Sequence, residues 1–413
     1  MDQKHRRRRD FWQNIVITLL SFSAVVLFTQ TQFHSRDKEL SAAAVSPGAV
    51  TQADSALTAP VRVAVSGSYG RYGSVTLTTA TAGPEFSPLG TLLGEALSSA
   101  QMYTACGRED FLAALSASSV YYDFLFPLPL SILGGFVGAE GEDSIQARYL
   151  VVTGEGSRVL LYLWDGGERF LTCPTALSAD TLEGVIGVFE QGNAAFGFET
   201  EAPSIHPLSL FLPETEPDLP DLAAANALTS GSALLSALEF NPYTQTRWEE
   251  GGTEVIVDGG RTLRIRSDGS LSYRGGGSGA LTIGSGEDLP SLWEAASEIE
   301  RLLRSLLSGK SLGTLYLKSI SRSGSATSLT FDYQYQGVPI RFSSGSPAAK
   351  VTLSGRSVAS IALTGREYLP DGAHMLLPLR QALAIAAKSP GAELFIGYAD
   401  YAGDTVSPQW LCE

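Results

Sequence analysis

The first 33 residues constrain this chain more than any other part of it. Lys4, Arg6, Arg7, Arg8 and Arg9 crowd the first ten positions, and residues 11–33 then carry no charge. The centre of that run, from Ile15 to Phe28, is almost wholly apolar. At about 1.5 Å per helical residue the run is roughly 34 Å long, enough to cross a hydrocarbon core of about 30 Å. The cations before it hold the N-terminus on the cytoplasmic side by the positive-inside rule. The pattern predicts a single-pass cell-membrane protein whose remaining chain is extracytoplasmic. A cleaved secretory signal is the competing reading. Against it, the apolar run is long for such a signal, residues 29–34 offer no small-x-small site, and Ala42-Ala43-Ala44 lies far beyond the core.

Charge narrows the function classes further. The chain carries 29 Lys+Arg against 43 Asp+Glu, a net −14. Without its first ten residues the balance is 24 against 41, or −17. A body that acidic repels phosphate backbones and has no basic stripe, which excludes nucleic acid as a partner.

The organisation read from pattern is α+β with antiparallel sheets. Residues 1–10 form a basic cytoplasmic tail, 11–33 a transmembrane helix and 34–59 a Ser/Ala/Thr-rich linker. An N-terminal extracytoplasmic unit covers 60–212, a Pro-rich linker 213–221, and a C-terminal unit 222–413. In the first unit Val61-Arg62-Val63-Ala64-Val65 alternates as a strand, with a turn expected at Gly67, Gly70 and Gly73. Helices are expected at 89–100 and 177–189, and a hairpin at 147–152 and 158–164. In the second unit Asp268-Gly269 marks a hairpin between 261–266 and 270–274. An amphipathic helix at 289–307 places Leu292, Ala296, Ile299, Leu303 and Leu306 on one face, with Asp288 as its cap. Leu329, Phe331, Tyr333 and Tyr335 then alternate with Thr330, Asp332, Gln334 and Gln336, a strand with one apolar and one polar face. Further strands are expected at 351–353, 358–363 and 393–401, with a helix at 379–387. The succession of helix then strands, seen at 289–335 and 379–401, reads as a module used twice.

Chemistry-bearing patterns are sparse. His5, His34, His206 and His374 are isolated from one another and no HExxH or CxxC occurs, so no metal site or cofactor is expected. Gly309-Lys310-Ser311 imitates the end of a phosphate loop, but Arg304 stands where its first glycine belongs. No G-x-S-x-G elbow is present, and His206 and His374 read as non-catalytic. The acids Glu140, Glu142 and Asp143, and the pair Glu249 and Glu250, read as solvated loop charges. Cys106, Cys173 and Cys412 are widely spaced, and spacing leaves open whether Cys106 and Cys173 are bonded. The chain is read as non-enzymatic.

Three stretches stand out in the second unit: Thr262-Leu263-Arg264-Ile265 with Asp268-Gly269-Ser270-Leu271-Ser272-Tyr273, then Asp332-Tyr333-Gln334-Tyr335-Gln336-Gly337-Val338-Pro339-Ile340, then Leu377-Pro378-Leu379-Arg380-Gln381-Ala382-Leu383 leading to Tyr398-Ala399-Asp400-Tyr401 and Pro408-Gln409-Trp410. Together with the overall layout they resemble the YycH/YycI family of membrane-anchored two-component regulators. The resemblance implies a regulator that binds a sensor histidine kinase in cell-wall homeostasis, possessing a sister subunit in some settings. It also implies contact through the membrane helix. There Ser21, Ser23 and Ala24 are small enough for close helix approach, while serines that bond back to their own carbonyls are the structural alternative. Two other readings of the whole chain stand beside this one: an anchored binding or chaperone-like protein with no kinase link, and an anchored cell-wall enzyme.

Overall fold

The structure is a computed structural model that describes residues 57–67, 71–76, 86–189, 192, 194–199, 205–211, 219–276, 280–286 and 288–413. The basic tail, the expected spanning segment, and most of the expected 34–59 and 213–221 linkers lie outside these residues. No helix among the described residues is long and apolar enough to cross a membrane.

A seven-stranded antiparallel sheet comes first, in the order Arg71–Thr76, Arg62–Gly67, Ser119–Pro129, Gln146–Glu155, Arg158–Trp164, Phe170–Ser178, Thr104–Ala105. Its third strand, Ser119–Pro129, is buried at every position of Ser-Val-Tyr-Tyr-Asp-Phe-Leu from Ser119 to Leu125. Such a run is apolar nearly throughout because both faces are covered. Val63, Val120, Tyr122 and Leu150 pack in the main core with helices Phe86–Ser98, Leu130–Val137 and Ala179–Ile186. On the opposite face Ala64, Tyr121, Tyr149 and Val151 pack against Phe111 and Leu115 of helix Arg108–Ser116.

The second large sheet runs Thr246–Glu250, Thr253–Asp258, Arg261–Arg266, Ser270–Arg274, Ser357–Thr364, Ala349–Ser354, Ala326–Tyr335, Val338–Phe342, Leu394–Asp400, Pro408–Cys412, with Gly313–Ser323 paired to Ala326–Tyr335. All its pairs are antiparallel except Val338–Phe342 with Leu394–Asp400. A small sheet of Arg366–Pro370, Leu222–Asn226 and Thr405–Val406 lies apart from it in the pairing. Helix Leu292–Leu306 buries Leu292, Ala296, Ile299, Leu303 and Leu306, the face its period predicted. One continuous apolar core includes residues from both large sheets.

Local chemistry explains the turns. Asp268 accepts the Ser270 N–H at 2.8 Å and Gly269 takes φ 84°, closing the hairpin at the expected residues. Gln336 and Gly337, at φ 48° and 83°, reverse the chain between Tyr335 and Val338 in the same left-handed manner.

Other expectations need correction. Gly73 lies within strand Arg71–Thr76 rather than in a turn, since it pairs with Val65. The helix expected at 177–189 is Ala179–Ile186, because Ser178 ends a strand and caps the helix by accepting the Thr181 N–H. The cap of Leu292–Leu306 is Ser291, which accepts the Glu294 N–H at 3.0 Å, while the Asp288 carbonyl accepts from Arg356. Asp332 and Gln334 do not face solvent: both are buried, and Asp332 is paired with Lys318 and Arg341.

Candidate functional site

The densest set of charged side chains inside the protein sits where the two large sheets meet. It starts from a defect in strand Ser119–Pro129. Opposite Tyr149 stands Asp123, and opposite Ala147 stands Leu128, so residues 124–127 bulge out against the single residue Arg148. Leu125 takes φ 66°, a left-handed conformation that costs a branched residue about 1–2 kcal/mol. Two contacts hold it there. Its N–H donates to Asp123 Oδ1 at 2.7 Å, and its side chain packs with Val61 and Tyr316 of the second sheet. Tyr316 donates its hydroxyl to the Phe124 carbonyl.

Behind the bulge lies a four-charge cluster. Arg62 donates to both Asp123 and Glu393. Arg148 donates from Nε to Asp123 Oδ1 at 3.2 Å and from Nη2 to Glu393 Oε2 at 2.5 Å. Tyr149 adds a hydroxyl to Glu393 Oε2 at 3.3 Å, and the Arg148 guanidinium lies 4.5 Å from the Tyr149 ring centroid. Asp123 has no exposed side-chain surface, and Glu393 is 7% exposed. Two cations thus neutralise two anions in a setting where an unpaired charge would be costly. Burial alone would raise the Glu393 carboxyl, but the charges of Arg62 and Arg148 outweigh it and hold the pKa at about 2. Burial alone would lower the two arginines, and the carboxylates hold both raised instead.

His206 closes the cluster. Its backbone N–H donates to Ala392 O at 2.9 Å, beside Glu393. Its ring stacks on Trp164 at 5.4 Å and 13°, and on Tyr149 at 6.2 Å and 26°. Burial lowers its pKa below 6.5 although Glu393 opposes the shift, and the Leu208 N–H donates to Nδ1 at 3.3 Å. With Nδ1 accepting that bond, the proton of the neutral ring sits on Nε2.

Two further charged groups extend this joint. On the second sheet Asp332 accepts from Lys318 at 2.9 Å and from Arg341 at 3.2 Å, and both cations lie over the Phe126 ring of the bulge at 5.2 and 4.9 Å. Arg341 also donates to Glu413 at 2.9 Å. At the small sheet, Asp400 accepts from Arg366 Nε at 3.0 Å, from the Tyr368 hydroxyl at 2.8 Å and from the Ala402 N–H at 2.6 Å.

Chemically, this arrangement locks a geometry. Asp123 and Glu393 share the same two guanidiniums, and Glu393 is pushed away from the range a general acid needs. Among the described residues no group of His, Cys, Asp or Glu is placed to hold a metal. Cys106, Cys173 and Cys412 are free thiols. His374 pairs with Asp221 at 3.1 Å. Glu140, Glu142, Asp143, Glu249 and Glu250 are exposed, whereas Phe331, Tyr333 and Tyr335 are core residues. Ser21, Ser23 and Ala24, and the cations Lys4, Arg6, Arg7, Arg8 and Arg9, lie outside the described residues.

Sequence reads His206 as isolated, Arg62 as a strand residue and Asp332 as part of a polar face, and it gives no sign that Arg62 meets Glu393, 331 positions away. One signal was present: Asp123 is a lone charge between Val120-Tyr121-Tyr122 and Phe124-Leu125-Phe126. An acid in so apolar a strand must find a buried partner.

No protein-family profile matches the sequence, and no curated protein matches it. Among solved structures the chain is similar to YycH from Bacillus subtilis, with a TM-score of 0.56 and 13% identity. The match covers 88% of this chain and 95% of that one. The mixed α/β architecture with antiparallel sheets described above is thus a YycH-like fold.

Proposed function

We propose that this protein is a membrane-anchored, non-enzymatic regulator of a sensor histidine kinase, acting in cell-wall homeostasis. The observation that carries the reading is the YycH-like fold across nearly all of both chains. The charge-free run 11–33 behind five cations supports the anchored layout that the family resemblance implies. In this reading residues 1–10 are cytoplasmic, 11–33 span the membrane and 34–59 tether the outer part, with Leu57 and Ala59 at the end of that segment packed into its core. Outside, the units 60–212 and 222–413 flank the linker 213–221. Ser21, Ser23 and Ala24 form the helix face that meets the kinase, and a sister regulatory subunit joins the complex. The charged joint keeps the two large sheets in one geometry, so that the outer part acts as a single body. Regulation then follows from binding one kinase state better than the other.

The test is a crosslinking pull-down from membranes, with the intact chain and with one whose residues 15–28 are replaced by an unrelated spanning helix. The expected result is a histidine kinase recovered with the native helix and lost with the replacement. Recovery with neither would refute kinase regulation. Specific recovery of other envelope proteins instead would leave an anchored binding protein.

A further inference from the structure

One end of the second large sheet is a free edge. Strand Thr246–Glu250 pairs on one side with Thr253–Asp258 and, among the described residues, with nothing on the other. All five of its residues are exposed, including Trp248, and the turn before it carries Tyr243, 94% exposed. Exposed edges present unpaired backbone groups and are ordinarily blunted by charged side chains, by proline or by a covering element. This edge has no proline, and its charges have both signs, arranged about Trp248.

We propose that this strand pairs with the same strand of a second copy, antiparallel about a two-fold axis at Trp248. The pattern Thr246-Arg247-Trp248-Glu249-Glu250 is self-complementary in that register and in no other. Pairing Trp248 with Trp248 of the second copy sets Arg247 opposite Glu249 twice and Thr246 opposite Glu250 twice. Directly opposed residues of opposite charge and paired aromatics are the contacts that stabilise an antiparallel pair. A two-fold interface uses one patch on both copies, so such a sequence closes into a dimer without building fibres. Beyond the five residues, the Gly251-Gly252 turn of one copy falls beside Gln245 and Thr244 of the other. These glycines, at φ 56° and 76°, have no side chain to hinder that approach. Arg247 also pairs with Glu254 on its own sheet, so its guanidinium would lie between one acid of each copy. A five-residue pairing is small, below the roughly 1,200 Å² of a stable complex, so the dimer is a weak one. The proposal does not depend on the kinase reading.

The experiment uses the full chain in detergent with Cys106 and Cys412 replaced by Ser. One preparation carries Thr246→Cys and another Glu250→Cys. Partners directly opposed in an antiparallel pair lie about 4.5–5.5 Å apart at Cα, within disulfide reach. Like positions in the two copies are about 14 Å apart, beyond it. Under a copper–phenanthroline oxidant the mixture is expected to give a linked dimer and each variant alone none. Arg247→Glu is expected to weaken association about tenfold in sedimentation, and Arg247→Glu with Glu249→Arg to restore it. Equal linking by each variant alone would place the contact elsewhere and overturn the proposal. No link in any preparation would overturn it as well.

Discussion

Replacing Glu393 by Gln keeps the shape of the joint but removes one of its two negative charges. Arg62 and Arg148 then share Asp123 alone, leaving one excess positive charge among buried groups. The folded-state carboxyl sits at about 2 against an ordinary 4.5. Because it is depressed, its ionisation stabilises the fold above pH 4.5, and that contribution disappears as pH falls through 2. The difference corresponds to about 3 kcal/mol at pH 7. Breaking a buried pair by removing one partner costs about 3–5 kcal/mol, so two independent routes agree. At pH 3, closer to the folded-state value, the same linkage leaves roughly half of that contribution. Urea unfolding of parent and variant at both pH values measures this directly. The variant is expected to be about 3 kcal/mol less stable at pH 7 and to close roughly half that gap at pH 3. A gap below about 1 kcal/mol at pH 7, or one that does not change with pH, would refute the account of the joint as a charge-balanced lock.

Tyr368→Phe removes the hydroxyl that donates to Asp400 and leaves Arg366 on that carboxylate. A bond to a charged acceptor makes this worth about 1.5–3 kcal/mol, readable as a shift of the urea midpoint with unchanged slope. Gly135→Ala drives a Cβ from helix Leu130–Val137 into the Trp293 ring of helix Leu292–Leu306. Overpacking of that kind is expected to cost about 1–3 kcal/mol and to change the tryptophan emission, while Gly135→Ala with Trp293→Leu recovers much of the loss.

Much of the fold could be read locally because its signals are local. Asp268-Gly269 specifies a left-handed turn, and the 3.6-residue spacing of Leu292, Ala296, Ile299, Leu303 and Leu306 specifies a buried helix face. Alternation from Leu329 to Tyr335 specifies a strand. Each depends on residues within a few positions of one another, where backbone sterics and side-chain period act without help from the rest of the chain.

The joint was not legible in that way. Arg62 reads as the solvent-facing member of an alternating strand, and Asp332 and Gln334 as a polar face. Tertiary packing buries all three positions wholly or in large part. Which guanidinium meets which carboxylate depends on where the bulge at residues 124–127 and strand Leu394–Asp400 arrive in space, and no local period encodes a meeting across hundreds of residues. The charge pattern of the N-terminus, the element types and most turns follow from short-range sterics and hydropathy, which neighbouring residues carry among themselves. Which polar residues lie inside follows from the packed fold, because a buried charge is stable only beside a partner that the fold delivers.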